Sequence, residues 1–274
     1  MNVLLRRLTY QPRLIALARA LGLRRVFRNW YYRWARPRTG IVQVAAGTAT
    51  GQFWAHTPGE LRMAEGRGRE QHILELLISL IQPGDVFYDI GSGFGLYTVF
   101  LAKAVGEQGQ VVAFEPEGES YQHLRANLTL NGLTNVRAFR KALGERNCEA
   151  KLYANSEEPW RSTLCGPVDA RETGYEVIEV VEGDQFREAE NLPLPRVVKI
   201  DVEGYEYAVI HGLQQTLAHP HCDLVCCEVH PTLLPSGVGP EAVSALLKSL
   251  GFAQIVIYPR ANQFHALAYK RTLH

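Results

Sequence analysis

The residues best suited to chemistry begin at Asp89-Ile90-Gly91-Ser92-Gly93-Phe94-Gly95, which follows the apolar run Val86 to Ile90 and opens an amphipathic stretch. Glycines let a backbone pass close beneath a ligand and adopt positive φ. A helix starting here would offer free N–H groups to an anion. Two ligand types fit: a dinucleotide pyrophosphate, or the carboxylate end of S-adenosylmethionine. Spacing leans toward the second. The dinucleotide fingerprint GxGxxG would put its third glycine where the chain has Leu96, and glycine falls at Gly95 instead. Asp89 would crowd a pyrophosphate and suits a cation, either an α-ammonium or a sulfonium. A tight turn without a ligand is the plain alternative. Glu115 ends the next apolar run, Gln110 to Phe114, where a strand-end acid can take both ribose hydroxyls. Dehydrogenases share that device, so Glu115 supports a nucleoside without naming it. A surface acid is the simpler reading.

The second informative stretch is Lys199-Ile200-Asp201-Val202-Glu203-Gly204-Tyr205-Glu206. Three acids lie within six residues at a strand-to-helix corner. Asp201 and Glu203 should face the mouth where ligands bind if this strand adjoins the first. Lys199 and Asp201 project to one side and can pair. Transfer to a neutral alcohol needs a base, and Asp201, Glu203 and His230 are the candidate catalytic residues. His230 follows the run Asp223 to Val229 and titrates near neutral pH; a structural histidine capping that strand is the alternative. Glu228 can orient or neutralise a partner. These three candidates could share a metal, but no spacing requires one, and none is expected. Trp160-Arg161-Ser162-Thr163 suits stacking on a sugar face or hydrogen bonding to an acceptor, and equally an ordinary loop anchored by Trp160.

Alternating elements must position these groups. Residues 41–57 read as a hairpin and 69–81 as a helix stopped by Pro83-Gly84. Strands are expected at Val86–Ile90, Gln110–Phe114 and Val136–Phe139, with helices at 94–105 and 117–130. Residues 144–194 break the rhythm as a β insertion with short strands at Lys151–Ala154 and Glu176–Val181. Strand Arg196–Asp201, a helix over 205–217, strand Asp223–Val229 and a helix over 240–249 resume it. Phe252–Tyr258 and Phe264–Tyr269 close it as a hairpin turning at Pro259 to Asn262. The expectation is an α/β, doubly wound, mostly parallel sheet with right-handed crossovers and a C-terminal antiparallel hairpin.

The ordered motifs resemble the FkbM family of methyltransferases. They run Val86 to Thr98, then Val112-Ala113-Phe114-Glu115-Pro116, Asn127 with Leu130-Asn131-Gly132-Leu133, Ala142-Leu143-Gly144, Lys199 to Glu206, and Glu228-Val229-His230. The likeness covers roughly residues 69–230. It implies a class I methyltransferase (Rossmann-like) fold, S-adenosyl-L-methionine as donor, and O-methylation of a hydroxyl on a sugar, glycolipid or secondary metabolite. It carries cofactor contact to Asp89, Gly91, Gly93 and Glu115, and places the backbone at Lys141 and Ala142 beside the adenine; Ser92 and Asp201 are further cofactor-binding candidates. Ser92-Gly93 stands where the family often has Ala-Asn. Two rival classes stay open: a nicotinamide-type oxidoreductase on a Rossmann fold, and a non-enzymatic, membrane-associated binding module.

The whole chain fits one α/β domain with an appendage. It has 274 residues, 46% hydrophobic and 21% charged. The net charge of +1 hides an asymmetry: ten of the 29 basic residues, all arginine, precede the first acid, Glu60, leaving 19 against 28 acids afterwards. Residues 1–40 read as a basic helical extension and 41–274 as the catalytic domain. Arginine interleaved with Trp30, Tyr31, Tyr32 and Trp34 suits the surface of an anionic membrane; a packed helical cap with solvated arginines is the alternative. Nucleic acid is disfavoured by the acidic body. No apolar stretch reaches the roughly 20 residues of a bilayer span, and no signal-peptide core follows Met1. A cytoplasmic protein is therefore expected, with peripheral contact at the inner membrane surface through residues 1–38. Five cysteines without metal spacing read as buried thiols, and adjacent Cys226 and Cys227 should point to opposite faces of a strand.

Overall fold

A computed structural model describes residues 40–55, 71–153, 163, 164, 166 and 175–270. The arginine-rich residues 1–38 and the Trp160 to Ser162 segment lie outside the described residues. The chain divides into two units, Met1–Ile41 and Val42–His274. The first described strands, β1 (Gly40–Ala46) and β2 (Ala49–Ala55), pair as the expected hairpin. Helix α1 (Gln71–Leu80) buries Ile73, Leu74 and Leu77 at helical spacing.

The central sheet has seven strands. They are β3 (Val86–Ile90), β4 (Gln110–Phe114), β5 (Val136–Phe139), β9 (Val197–Ile200), β10 (Leu224–Val229), β11 (Gln254–Arg260) and β12 (Gln263–Tyr269). Their order is β5-β4-β3-β9-β10-β12-β11. The first five are parallel, and β12 runs antiparallel to both β10 and β11. This is the doubly wound, Rossmann-like sheet with the antiparallel closing hairpin that the alternation implied. The hairpin turns more tightly than expected, on Ala261-Asn262, with Ala261 at φ 46°.

Helices cover both faces. One face packs α1, α2 (Leu96–Val105) and α3 (Gly118–Leu130) around Leu77, Phe100, Val111 and Leu124. The other packs α4 (Gly183–Ala189), α5 (Glu206–Gly212), α6 (Gln214–Ala218) and α7 (Pro240–Ser249) near Ile200, Val209, Leu217 and Leu247. Strand β10 is buried on both sides: Cys226 belongs to the first cluster and Cys227 to the second, on opposite faces as pleating requires. Strand order reverses between β3 and β9, so the carboxyl ends of these neighbours form the switch-point crevice in which open α/β sheets bind ligands.

Three departures from the sequence reading have physical reasons. The insertion builds its own sheet from β6 (Ala142–Gly144), β8 (Tyr175–Glu182) and β7 (Cys148–Tyr153), where β6 is too short to show periodicity. Helix α4 was not foreseen. Its seven residues are specified by Glu182, which accepts from Gln185 N, and by buried Asp184, which accepts from Gln215 N and Thr216 N. The expected helix over 205–217 breaks into α5 and α6 at Leu213. There Gly212 approaches the Gly144 carbonyl so closely that a Cβ would lie 1.8 Å from its oxygen.

Candidate functional site

The glycine loop is fitted to its neighbours by backbone. Gly91 N and Ser92 N both donate to Phe114 O at the end of β4, each at 3.0 Å. Gly91 sits at φ 79°, and a Cβ there would fall 1.7 Å from the Asp201 carbonyl oxygen. Only glycine permits that approach. The loop ends at Gly95, φ 93°, and α2 starts without a side-chain cap hydrogen bond.

Asp89, expected to suit a cationic ligand group, is fully enclosed. Oδ2 accepts from Thr98 Oγ1 at 2.5 Å, and Oδ1 lies 3.7 Å from Lys199 Nζ. Burial raises its pKa above the usual carboxylate range against the opposing pull of Lys199. Lys199, itself 3% exposed, also reaches Asp201 Oδ2 at 3.2 Å and Gly91 O at 3.4 Å, and lies over the Tyr97 ring. The anticipated Lys199–Asp201 pair is thus one arm of a buried ammonium that ties β3, the glycine loop and β9 together.

Glu115 stands at the rim of the same crevice. Its Oε2 accepts from Gly93 N at 2.7 Å and its Oε1 from Glu117 N at 2.9 Å. Burial pushes it up to about 8, against the pull of those two N–H groups. Lys141 pairs with Glu179 and lies over the Phe186 ring, while Ala142 is buried in β6. Ser92 Oγ donates to Phe114 O at 3.3 Å.

Beyond β9 the candidate catalytic residues converge. His230 Nε2 lies 3.4 Å from Glu203 Oε2 and 4.0 Å from Asp201 Oδ1, and one donor atom from each residue falls within 4.8 Å of the others. Asp201 has the most exposed side chain, 25%, against 10% for Glu203 and 3% for His230. Glu203 holds φ 47°, unusual for a non-glycine residue and a mark of imposed geometry. Its carbonyl accepts from Thr163 Oγ1 at 2.7 Å, so Thr163 anchors the insertion to the corner. Glu206 gave no role by spacing alone. In the fold it is fully buried, accepts from Gly204 N at 3.0 Å, and lies 2.6 Å from His230 Nδ1. Burial pulls the His230 pKa down, but the Glu206 hydrogen bond and the Glu203 and Asp201 charges outweigh it and hold it at about 9. Glu228 neutralises partners as anticipated: Arg260 Nη1 at 2.6 Å, His265 Nε2 at 3.1 Å, and Gln263 besides.

Asn127 and Asn131 explain another motif. Asn127 Oδ1 accepts from Trp54 N while its amide donates to Phe94 O, and Asn131 brackets the Gln52 backbone. They fasten β2 and the glycine loop to α3.

Residues 89–253 match the family described as Methyltransferase FkbM domain. The hexuronic acid methyltransferase AglP of Haloferax volcanii is 30% identical over 211 residues, covering 77% of this chain and 80% of that protein. Methyltransferase 1 of Beauveria bassiana is 28% identical, covering 65% and 76%. Methyltransferase sdnD of Sordaria araneosa is 28% identical, covering 60% and 72%. This chain belongs to the FkbM methyltransferase family.

Proposed function

We propose that the chain transfers a methyl group from S-adenosyl-L-methionine to a hydroxyl of a sugar or related metabolite. The observation that carries the reading is the crevice between β3 and β9. Gly91, which tolerates no Cβ, meets the carbonyl of Asp201, whose carboxylate opens on the same mouth.

The residues present fit the donor. The uncapped start of α2 suits its carboxylate, and Glu115, pinned at both oxygens by backbone N–H groups, keeps lone pairs for ribose hydroxyls. Lys141 and Ala142 border the position of an adenine. Asp89 acts behind the loop, through Lys199 and Thr98. When bound, the donor supplies a methyl carbon already activated by sulfonium. The chain's task is then to align the acceptor and remove its proton. Asp201 is the assigned proton acceptor because it is the most open of the three clustered groups. Glu203 and His230 shape the acceptor side. The resemblance to a hexuronic acid methyltransferase supports a sugar-type acceptor. Exclusion of a nicotinamide ligand rests on Leu96 at the position where a dinucleotide loop needs glycine.

Isothermal titration tests the donor. Binding of S-adenosyl-L-methionine, weakened at least tenfold by Glu115→Ala, is expected; binding of NAD in its place would overturn the reading.

A further inference from the structure

We propose that Asp201, Glu203 and His230 form a site for one divalent cation. Sequence spacing demands no metal, but the fold brings one oxygen from each acid and His230 Nε2 within 4.8 Å of one another. Ligands about 2.1 Å from a shared ion lie about 3 to 4 Å apart, so small side-chain movements complete the set.

Two further observations point the same way. First, His230 is 3% exposed, and its Nε2 is buried without a hydrogen-bond partner while aimed at the two carboxylates. A buried nitrogen left in that state is costly unless something binds it. Second, the ring's other nitrogen is held by Glu206, itself fully buried and fixed by Gly204 N. A carboxylate on the far nitrogen is the usual support of a metal-binding histidine, fixing the tautomer and the ring's orientation.

Two carboxylate oxygens and one imidazole, with positions left for water or an acceptor oxygen, suit Mn2+, and Mg2+ more weakly. The role of the ion rests on the proposed methyl transfer. The acceptor hydroxyl joins the ion's ligands and loses its proton to an oxygen of Asp201. Its oxygen forms the bond to the methyl carbon, and sulfur leaves with the carbon–sulfur electron pair.

The test is binding of Mn2+ alone to the full chain, followed by electron paramagnetic resonance with detection of nitrogen coupling. One ion per chain is expected, with an imidazole nitrogen coupling. Glu203→Gln should weaken affinity at least tenfold, while Glu107→Gln, at the opposite rim of β4, should leave it unchanged. Thermal melting checks that both variants fold. Absence of stoichiometric binding, equal binding by Glu203→Gln, or no nitrogen coupling would overturn the site and identify His230 as a cationic bridge between the acids. No methyl transfer is measured, so either outcome leaves the donor assignment to its own titration.

Discussion

Replacing Gly91 with alanine probes the junction on which the site depends. Two penalties act at once. At φ 79°, an L side chain costs about 1–2 kcal/mol. The new Cβ would also stand 1.7 Å from the Asp201 carbonyl oxygen, where an ordinary contact is about 3.5 Å. The ends of β3 and β9 must move apart, adding overpacking of about 1–3 kcal/mol. That movement strains the neighbouring Asp201 N to Ile90 O bond, worth about 1 kcal/mol. The sum is about 3–6 kcal/mol. Gly84→Ala is the matched control: φ is 89°, yet nothing lies within 4 Å of its Cβ, so only the backbone penalty of about 1–2 kcal/mol applies. The difference, about 2–4 kcal/mol, corresponds to roughly 4–16 °C in Tm for a chain this size. Calorimetry on both variants, with donor titration on each, reads the result. Equal melting losses would refute the clash argument, and wild-type donor affinity in Gly91→Ala would refute the loop's role.

Other perturbations test separate parts of the account. Asp201→Asn should keep donor affinity while lowering kcat by about 10²–10⁴-fold, which single-turnover assays would show. Glu115 is held at about 8 in the fold against 4.5 ordinarily, so ionising it works against folding. Its share of stability is complete below about 4.5 and is lost as pH rises through about 8; denaturant titrations at pH 5 and pH 9 should show the wild type losing stability relative to Glu115→Gln. Arg260→Met strips Glu228 of a close cation and should destabilise the fold by about 2 kcal/mol or more, with Glu228→Gln in the same chain restoring part of it on melting. Thr163→Val removes the hydrogen bond to Glu203 O. It should cost about 1 kcal/mol and lower kcat with donor affinity intact.

Much of this site was legible in one dimension because its parts lie at strand ends. Val86–Ile90, Gln110–Phe114 and Val136–Phe139 are short apolar runs followed by glycine, acid or turn residues, and each strand formed where it was expected. Asp201 and His230 were found because they follow β9 and β10, and parallel strands carry such positions to one rim. Directions within the rim were not legible. Whether Asp89 faces a ligand or Lys199 depends on packing between β3 and β9, which no local pattern encodes. The link from Glu206 to His230 spans 24 residues and two elements. Glu203 at positive φ gives no signal in its residue type. Short elements were lost for a related reason: β6 and α4 hold together through Asp184, Gly144 and their tertiary partners rather than through periodicity.

The central claim is that a sulfonium methyl passes to a hydroxyl held at Asp201. Incubating the full chain with methyl-labelled S-adenosyl-L-methionine and a set of glycosides and uronic acids tests it most directly. The account predicts label recovered as an alkali-stable methyl ether, and its loss in Asp201→Asn while donor binding persists. Label recovered as an alkali-labile methyl ester, or turnover by Asp201→Asn at the wild-type rate, would contradict it.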